Sequence, residues 1–140
     1  MGNDTSARGT YYTHESWYDG RNDEYGEVQI RSKRVKLALG LGVHHLVRFS
    51  FPPSSERKWA VFEWMDSGLK SYACDDLDSH CCIDLGNYYL RDVYRAAKEA
   101  SRNHSFSTEY NCNHWVEQFA WELDQSKIRV HWNCICVLEG

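Results

Sequence analysis

The residues best suited to chemistry in this chain are one cysteine and a pair of histidines. Cys112 lies in Tyr110-Asn111-Cys112-Asn113-His114-Trp115-Val116, where a helix is expected to begin. Apolar residues recur after it at helical spacing, at Trp115, Val116, Phe119, Ala120 and Leu123. Ser107, Thr108 and Asn111 ahead of it are polar types that cap helix N-termini. A thiol at that place feels the positive end of the helix dipole and unsatisfied backbone N–H groups. Both favour thiolate, which is the nucleophile. The same amides can stabilise the oxyanion formed when the thiolate attacks a carbonyl.

Such a sulfur needs a base within hydrogen-bond reach. The histidines are His14, His44, His45, His80, His104, His114 and His131. His114, two residues beyond Cys112 on the same expected helix, points elsewhere and is read as making a structural hydrogen bond. His14, His80, His104 and His131 fall in loops or near strand ends and read as plain polar residues. His44 and His45 differ, because they stand in an apolar strand directly after Gly40-Leu41-Gly42. Adjacent strand residues face opposite ways, so only one of the two is expected to meet Cys112. Glu63 is a polar residue inside the apolar run Val61-Phe62-Glu63-Trp64. It is either the solvent-facing position of a half-buried strand or a third residue orienting the imidazole.

These groups need elements to hold them. Residues 1–26 are rich in Gly, Asp, Asn, Ser and Tyr and have no period, which predicts a loop or arm, with Tyr11, Tyr12, Trp17 and Tyr18 packing part of it on the body. Glu27–Leu39 alternates as a strand and Gly40-Leu41-Gly42 breaks it. Val43–Phe49 is a second strand carrying the histidine pair, and Pro52-Pro53-Ser54-Ser55 is a turn. Lys58–Met65 is a third strand carrying Glu63. Residues 66–86 are polar with little periodicity. Tyr88–Asn103 and residues 112–124 read as helices. Lys127–Val137 reads as a last strand with Ile128, Val130, Trp132 and Cys134 on one face. This order predicts an α+β fold, one antiparallel sheet packed on two helices, with a single domain over residues 27–140.

Composition narrows the function. The 140 residues are 42% hydrophobic and 14% aromatic, which suits one folded domain rather than a disordered chain. A net charge of −4 without a basic block argues against nucleic acid as partner and gives anionic lipid nothing polybasic to attract it. No apolar run approaches the roughly 20 residues needed to span a bilayer, so no integral membrane segment is expected. The N-terminal residues lack the apolar core of a signal peptide, although Met1-Gly2 followed by Ser6 superficially fits a myristoylation pattern. Cys74, Cys81, Cys82, Cys112, Cys134 and Cys136 are therefore read as reduced intracellular thiols, in a cytoplasmic or nuclear protein. Cys81-Cys82 and Cys134-Ile135-Cys136 lack the C-x-x-C spacing of zinc sites, so no metal or cofactor is expected.

Two segments carry a resemblance. Asn111-Cys112-Asn113-His114-Trp115 resembles the N-C-N-H-F signature of the PPPDE superfamily of deSUMOylating and deubiquitinating cysteine isopeptidases. Gly40-Leu41-Gly42-Val43-His44-His45 resembles that family's G-L-G-aliphatic-aromatic-His segment, and the histidine precedes the cysteine in both, a circularly permuted papain-like order. Leu123, Lys127, Ile128 and Trp132 are similar to family positions after the cysteine helix, the tryptophan displaced by about one position. The likeness covers roughly residues 35–65 and 105–133. A sister group, the lecithin:retinol acyltransferase-like proteins, includes lipid acyltransferases, phospholipases and viral H-box/NC proteins, and uses H-W-A-I-Y-V and N-C-E-H-F-V. Trp115-Val116 sits closer to that F-V, whereas Asn113 fits the isopeptidases. Arg48 stands where a valine or small residue is common. KWAVFEWMDSGL replaces the usual G-x-E-Y-x-F-G, and residues 66–86 have no counterpart.

The resemblance implies a permuted papain-like fold and a Cys–His dyad acting on a ubiquitin-like protein conjugate, or on an acyl-lipid if the sister group is the better guide. It leaves the base as His44 or His45. The Gly-Leu-Gly block aligns His45 with the family histidine without a gap. The apolar or small residues expected one, three and five positions later favour His44, which is followed by His45, Val47 and Phe49. Glu63 lies where the acyltransferase-like proteins place a second histidine. A non-catalytic binding module of the same fold is the remaining alternative.

Overall fold

The computed structural model describes residues 23–37, 40–130 and 136–139. The chain runs β1 (Tyr25–Leu37), β2 (Gly40–Ser50), β3 (Trp59–Met65), β4 (Gly68–Cys74), β5 (His80–Tyr89), α1 (Leu90–Ser101), α2 (Cys112–Asp124), β6 (Lys127–Val130) and β7 (Cys136–Glu139). Five strands form one antiparallel sheet in the order β4-β3-β2-β1-β5, while β6 and β7 pair separately. The fold is therefore α+β, as the order of strand patterns followed by helix patterns predicts. Among the described residues no helix is long and apolar enough to cross a membrane.

Alternation decides which face of the sheet is covered. Val28 and Ile30 of β1 sit opposite Phe49 and Val47 of β2, and these in turn sit opposite Ala60 and Phe62 of β3. That row packs with Trp64 against Leu90, Val93 and Ala97 of α1 and Trp115, Val116 and Phe119 of α2 in one continuous core. His45 shares the parity of Val47 and Phe49, and so belongs to this face. His44, Leu46 and Arg48 belong to the other.

Several boundaries differ from the sequence expectations. Gly40-Leu41-Gly42 does not break a strand. It is the start of β2, with Gly40 paired to Leu37. Residues 38 and 39 lie outside the described residues. Tyr25 and Gly26 belong to β1 rather than to an arm; residues 1–22, including Tyr11, Tyr12, Trp17 and Tyr18, lie outside the described residues. The segment 66–86 holds β4 and most of β5. Asp66 and Ser67 separate the paired residues Met65 and Gly68, and Gly68 takes φ 108°, a backbone region open mainly to glycine. In β5 the alternation is hidden by register shifts between Val28 and Gln29 and between Ile30 and Arg31, so two-residue periodicity fails there. Tyr88 and Tyr89 end β5, and α1 begins only at Leu90, whose N–H donates to the Glu24 carbonyl at 2.8 Å. The expected last strand is instead two strands paired antiparallel, Val130 opposite Cys136 and Lys127 opposite Glu139. Trp132 and Cys134 lie outside the described residues.

One feature of the sheet matters most for chemistry. β2 pairs with β1 over Gly40–Phe49 but with β3 only over Val47–Ser50. Over His44–Leu46 the strand is thus unpaired on its β3 side, and the start of α2 meets it there.

Candidate active site

The start of α2 is fixed by Asn111. Its side chain accepts the N–H groups of Asn113 at 2.9 Å and His114 at 3.4 Å. His114 Nδ1 accepts the Asn111 N–H at 3.1 Å, which completes a reciprocal capping box. His114 thus makes the structural hydrogen bond expected of it. The cap also takes two of the helix-start amides that could have met an oxyanion. Cys112's own N–H, at the first helical position, has no intrahelical acceptor.

Cys112 is half-buried at this position, with Sγ 3.6 Å from Asn113 Oδ1. Burial alone would push its thiol pKa up. The neighbouring His44 and His45 imidazoles, with the His44 charge, outweigh that and bring it down to about 6. Both rings thus act on the sulfur's ionisation, His44 most strongly, while the hydrogen bond that His45 makes runs to Asn113.

The two rings are held differently. His44 is 9% exposed, and its Nε2–H donates to Glu63 Oε1 at 2.7 Å. Burial would lower its pKa, but hydrogen bonding to Cys112 and Glu63 raises it to about 9. With Nε2 committed to Glu63, Nδ1 is the nitrogen left to face the sulfur. His45 is fully buried, and its Nδ1–H donates to Asn113 Oδ1 at 2.7 Å. Its Nε2 has no hydrogen bond of acceptable geometry. Burial opposes its charge too, while Cys112, Cys82 and Asn113 raise its pKa to about 9.

Glu63 is 1% exposed, so it is not the solvent-facing residue of a half-buried strand. Burial would keep its carboxyl protonated. The His44 hydrogen bond, the Lys33 charge and the Tyr72 hydroxyl reverse this and hold it at about 2. Lys33 Nζ lies 3.6 Å from Oε1, and Tyr72 O–H donates to Oε2.

No family model matches this chain, and no curated protein or solved structure is similar enough to count as a match. The site is therefore read from its own geometry. Of the residues expected to do chemistry, Cys112, His44, His45 and Glu63 come together. His80 is exposed at the start of β5, and His104 stacks on Tyr110 with ring centroids 3.7 Å apart. His14 and His131 lie outside the described residues. Cys74, Cys81, Cys82 and Cys112 are free thiols, and among the described residues no cluster of three His, Cys, Asp or Glu side chains could hold a metal.

Sequence reasoning missed Asn113, Cys82, Lys33 and Tyr72. Asn113 was noticed only as part of the resemblance around the cysteine, not as the acceptor that holds His45. Lys33 and Tyr72 follow from register, since Lys33 is opposite His44, and Tyr72 is opposite Val61 two residues from Glu63. The Tyr72 register runs through β4, in a segment whose sequence shows little periodicity.

Proposed function

We propose that this chain is a cysteine hydrolase with a permuted papain-like fold, in which Cys112 is the nucleophile, His44 the base and Glu63 the residue that orients it. The observation that carries the reading is the chain of contacts from thiol to imidazole to buried carboxylate, ending in the 2.7 Å His44–Glu63 bond. A thiolate and an imidazolium at neutral pH are the resting state such chemistry needs. The Cys112 thiolate attacks the substrate carbonyl carbon, and the Cys112 N–H is a donor available to the developing oxyanion. His44 gives its proton to the departing amine and leaves a thioester on Cys112. It then takes a proton from water, whose oxygen attacks the thioester carbonyl. The carboxylic acid departs and the thiolate and imidazolium are restored.

The substrate class supported by the likeness of residues 111–115 to the PPPDE signature is an isopeptide or peptide bond after a ubiquitin-like C-terminus, in the cytoplasm or nucleus. One observation favours the lipid-acting sister group instead. Glu63 backs His44 from the position where those proteins carry a second histidine, which makes a triad rather than a dyad. In that case the sulfur carries an acyl group from a phospholipid.

An electrophilic probe built on a ubiquitin-like C-terminus should label the wild-type chain at Cys112 and leave Cys112→Ala unlabelled. Equal labelling of both contradicts the proposal. Incubation with phospholipid vesicles followed by intact mass measurement separates the substrate classes, since only the lipid reading yields an acyl adduct on Cys112.

A further inference from the structure

The structure assigns Tyr72 and Lys33 as positioning residues that keep Glu63 ionised and fix it against the His44 ring. This inference rests on reading Cys112 and His44 as nucleophile and base.

Glu63 uses both of its oxygens. Oε1 accepts from His44 Nε2 and lies 3.6 Å from Lys33 Nζ, while Oε2 accepts the Tyr72 hydroxyl. Turning the carboxylate about its last side-chain bond would break the contacts on both oxygens together, so the acceptor presented to His44 has one orientation. A buried carboxylate without donors takes up a proton, and a neutral acid no longer favours the charged imidazole. The donors come from both sides of the strand that carries Glu63, Lys33 from β1 beyond β2 and Tyr72 from β4. The charged and titratable groups facing Glu63 are Lys33 from β1, His44 from β2, Lys70, Tyr72 and Cys74 from β4, and Cys112 of α2 beyond the His44 ring. Lys70 is opposite Glu63 in register, and its ammonium lies over the Tyr72 ring at 5.2 Å, an arrangement that leaves the hydroxyl to the carboxylate.

Removing the Tyr72 hydroxyl leaves Oε2 buried without this donor. Glu63 then protonates more readily, His44 holds its proton less well, and Cys112 ionises at higher pH. A merely structural tyrosine would change stability and leave that ionisation in place.

The test is the pH dependence of iodoacetamide alkylation at Cys112, read by mass spectrometry on the full chain, with a circular dichroism melt as the folding control. The acid limb of the wild-type profile is expected near pH 6. In Tyr72→Phe it should move up by about one pH unit, with alkylation at pH 6 slowed roughly fivefold. Lys33→Met should shift it the same way by a smaller amount. A folded Tyr72→Phe with the wild-type limb overturns the assignment. If Tyr72→Phe fails to fold, Lys33→Met decides, because the Lys33 side chain is 31% exposed and its replacement leaves no buried gap; an unmoved limb there overturns it equally. A wild-type limb in the ordinary thiol range overturns the nucleophile–base reading itself. A limb near 6 that His44→Gln abolishes and Tyr72→Phe leaves alone defeats only the positioning role.

Discussion

Glu63 departs furthest from the environment its type prefers. A carboxylate with 1% exposure and a pKa held at about 2 contributes stability through its partners. Its folded pKa lies below the ordinary 4.5, so the contribution is complete above pH 4.5 and is lost as pH falls towards 2. The shift corresponds to roughly 3 kcal/mol. Urea unfolding between pH 7 and pH 2.5 should show Glu63→Gln losing less stability on acidification than wild type; parallel losses would contradict the buried ionised carboxylate. The neighbouring histidines make a second residue-level prediction. His44→Gln removes the proton carrier and should lower turnover by roughly a hundredfold or more. His45→Gln leaves the His44–Glu63 bond intact and should cost less, a difference measured as kcat/KM on the labelled ubiquitin-like substrate or on the phospholipid. Equal losses would make His45 an equal partner in proton transfer.

Among the elements, α2 and β1 carry the site's precision. Asn111 caps α2 with its side chain, so Asn111→Ala should cost about 0.5–2 kcal/mol in thermal or denaturant unfolding and loosen the turn that holds Cys112. At the start of β1, a Cβ on Gly26 would collide with the Ser50 carbonyl oxygen of β2. Gly26→Ala should therefore lower the melting temperature by several degrees although the residue touches no catalytic group. These elements were unequally legible. The polar cap at Asn111 and the run Trp115, Val116, Phe119, Ala120, Leu123 announce α2 at its true start. β1 announces itself by two-residue alternation and β2 and β3 by short apolar runs, with errors only at their ends. β4 is half polar, as Leu69, Ser71 and Ala73 alternate with Lys70 and Tyr72, and β5 is interrupted by two register shifts and Gly86 at φ 104°. A strand whose pairing register slips cannot show a clean period, because the period belongs to the pairing.

Across the whole molecule, the cysteine, both histidines and Glu63 were legible as separate signals on three elements, but their mutual arrangement was not. How the histidine pair and Glu63 are placed around Cys112 depends on the pairing of β2 with β3, a property of register rather than of residue type. The same holds for Lys33 and Tyr72, which act on Glu63 from strands far apart in sequence. The chain thus brings a helix start, an open strand edge and a buried carboxylate to one place, and the thiol's acidity is the sum of that convergence. The most direct test is the ionisation of Cys112 itself, followed by thiolate absorbance or alkylation rate against pH in wild type and in Cys112→Ser, which isolates its signal from the other thiols. The account predicts a Cys112 pKa of about 6. A value at or above the ordinary thiol value of 9 would contradict it.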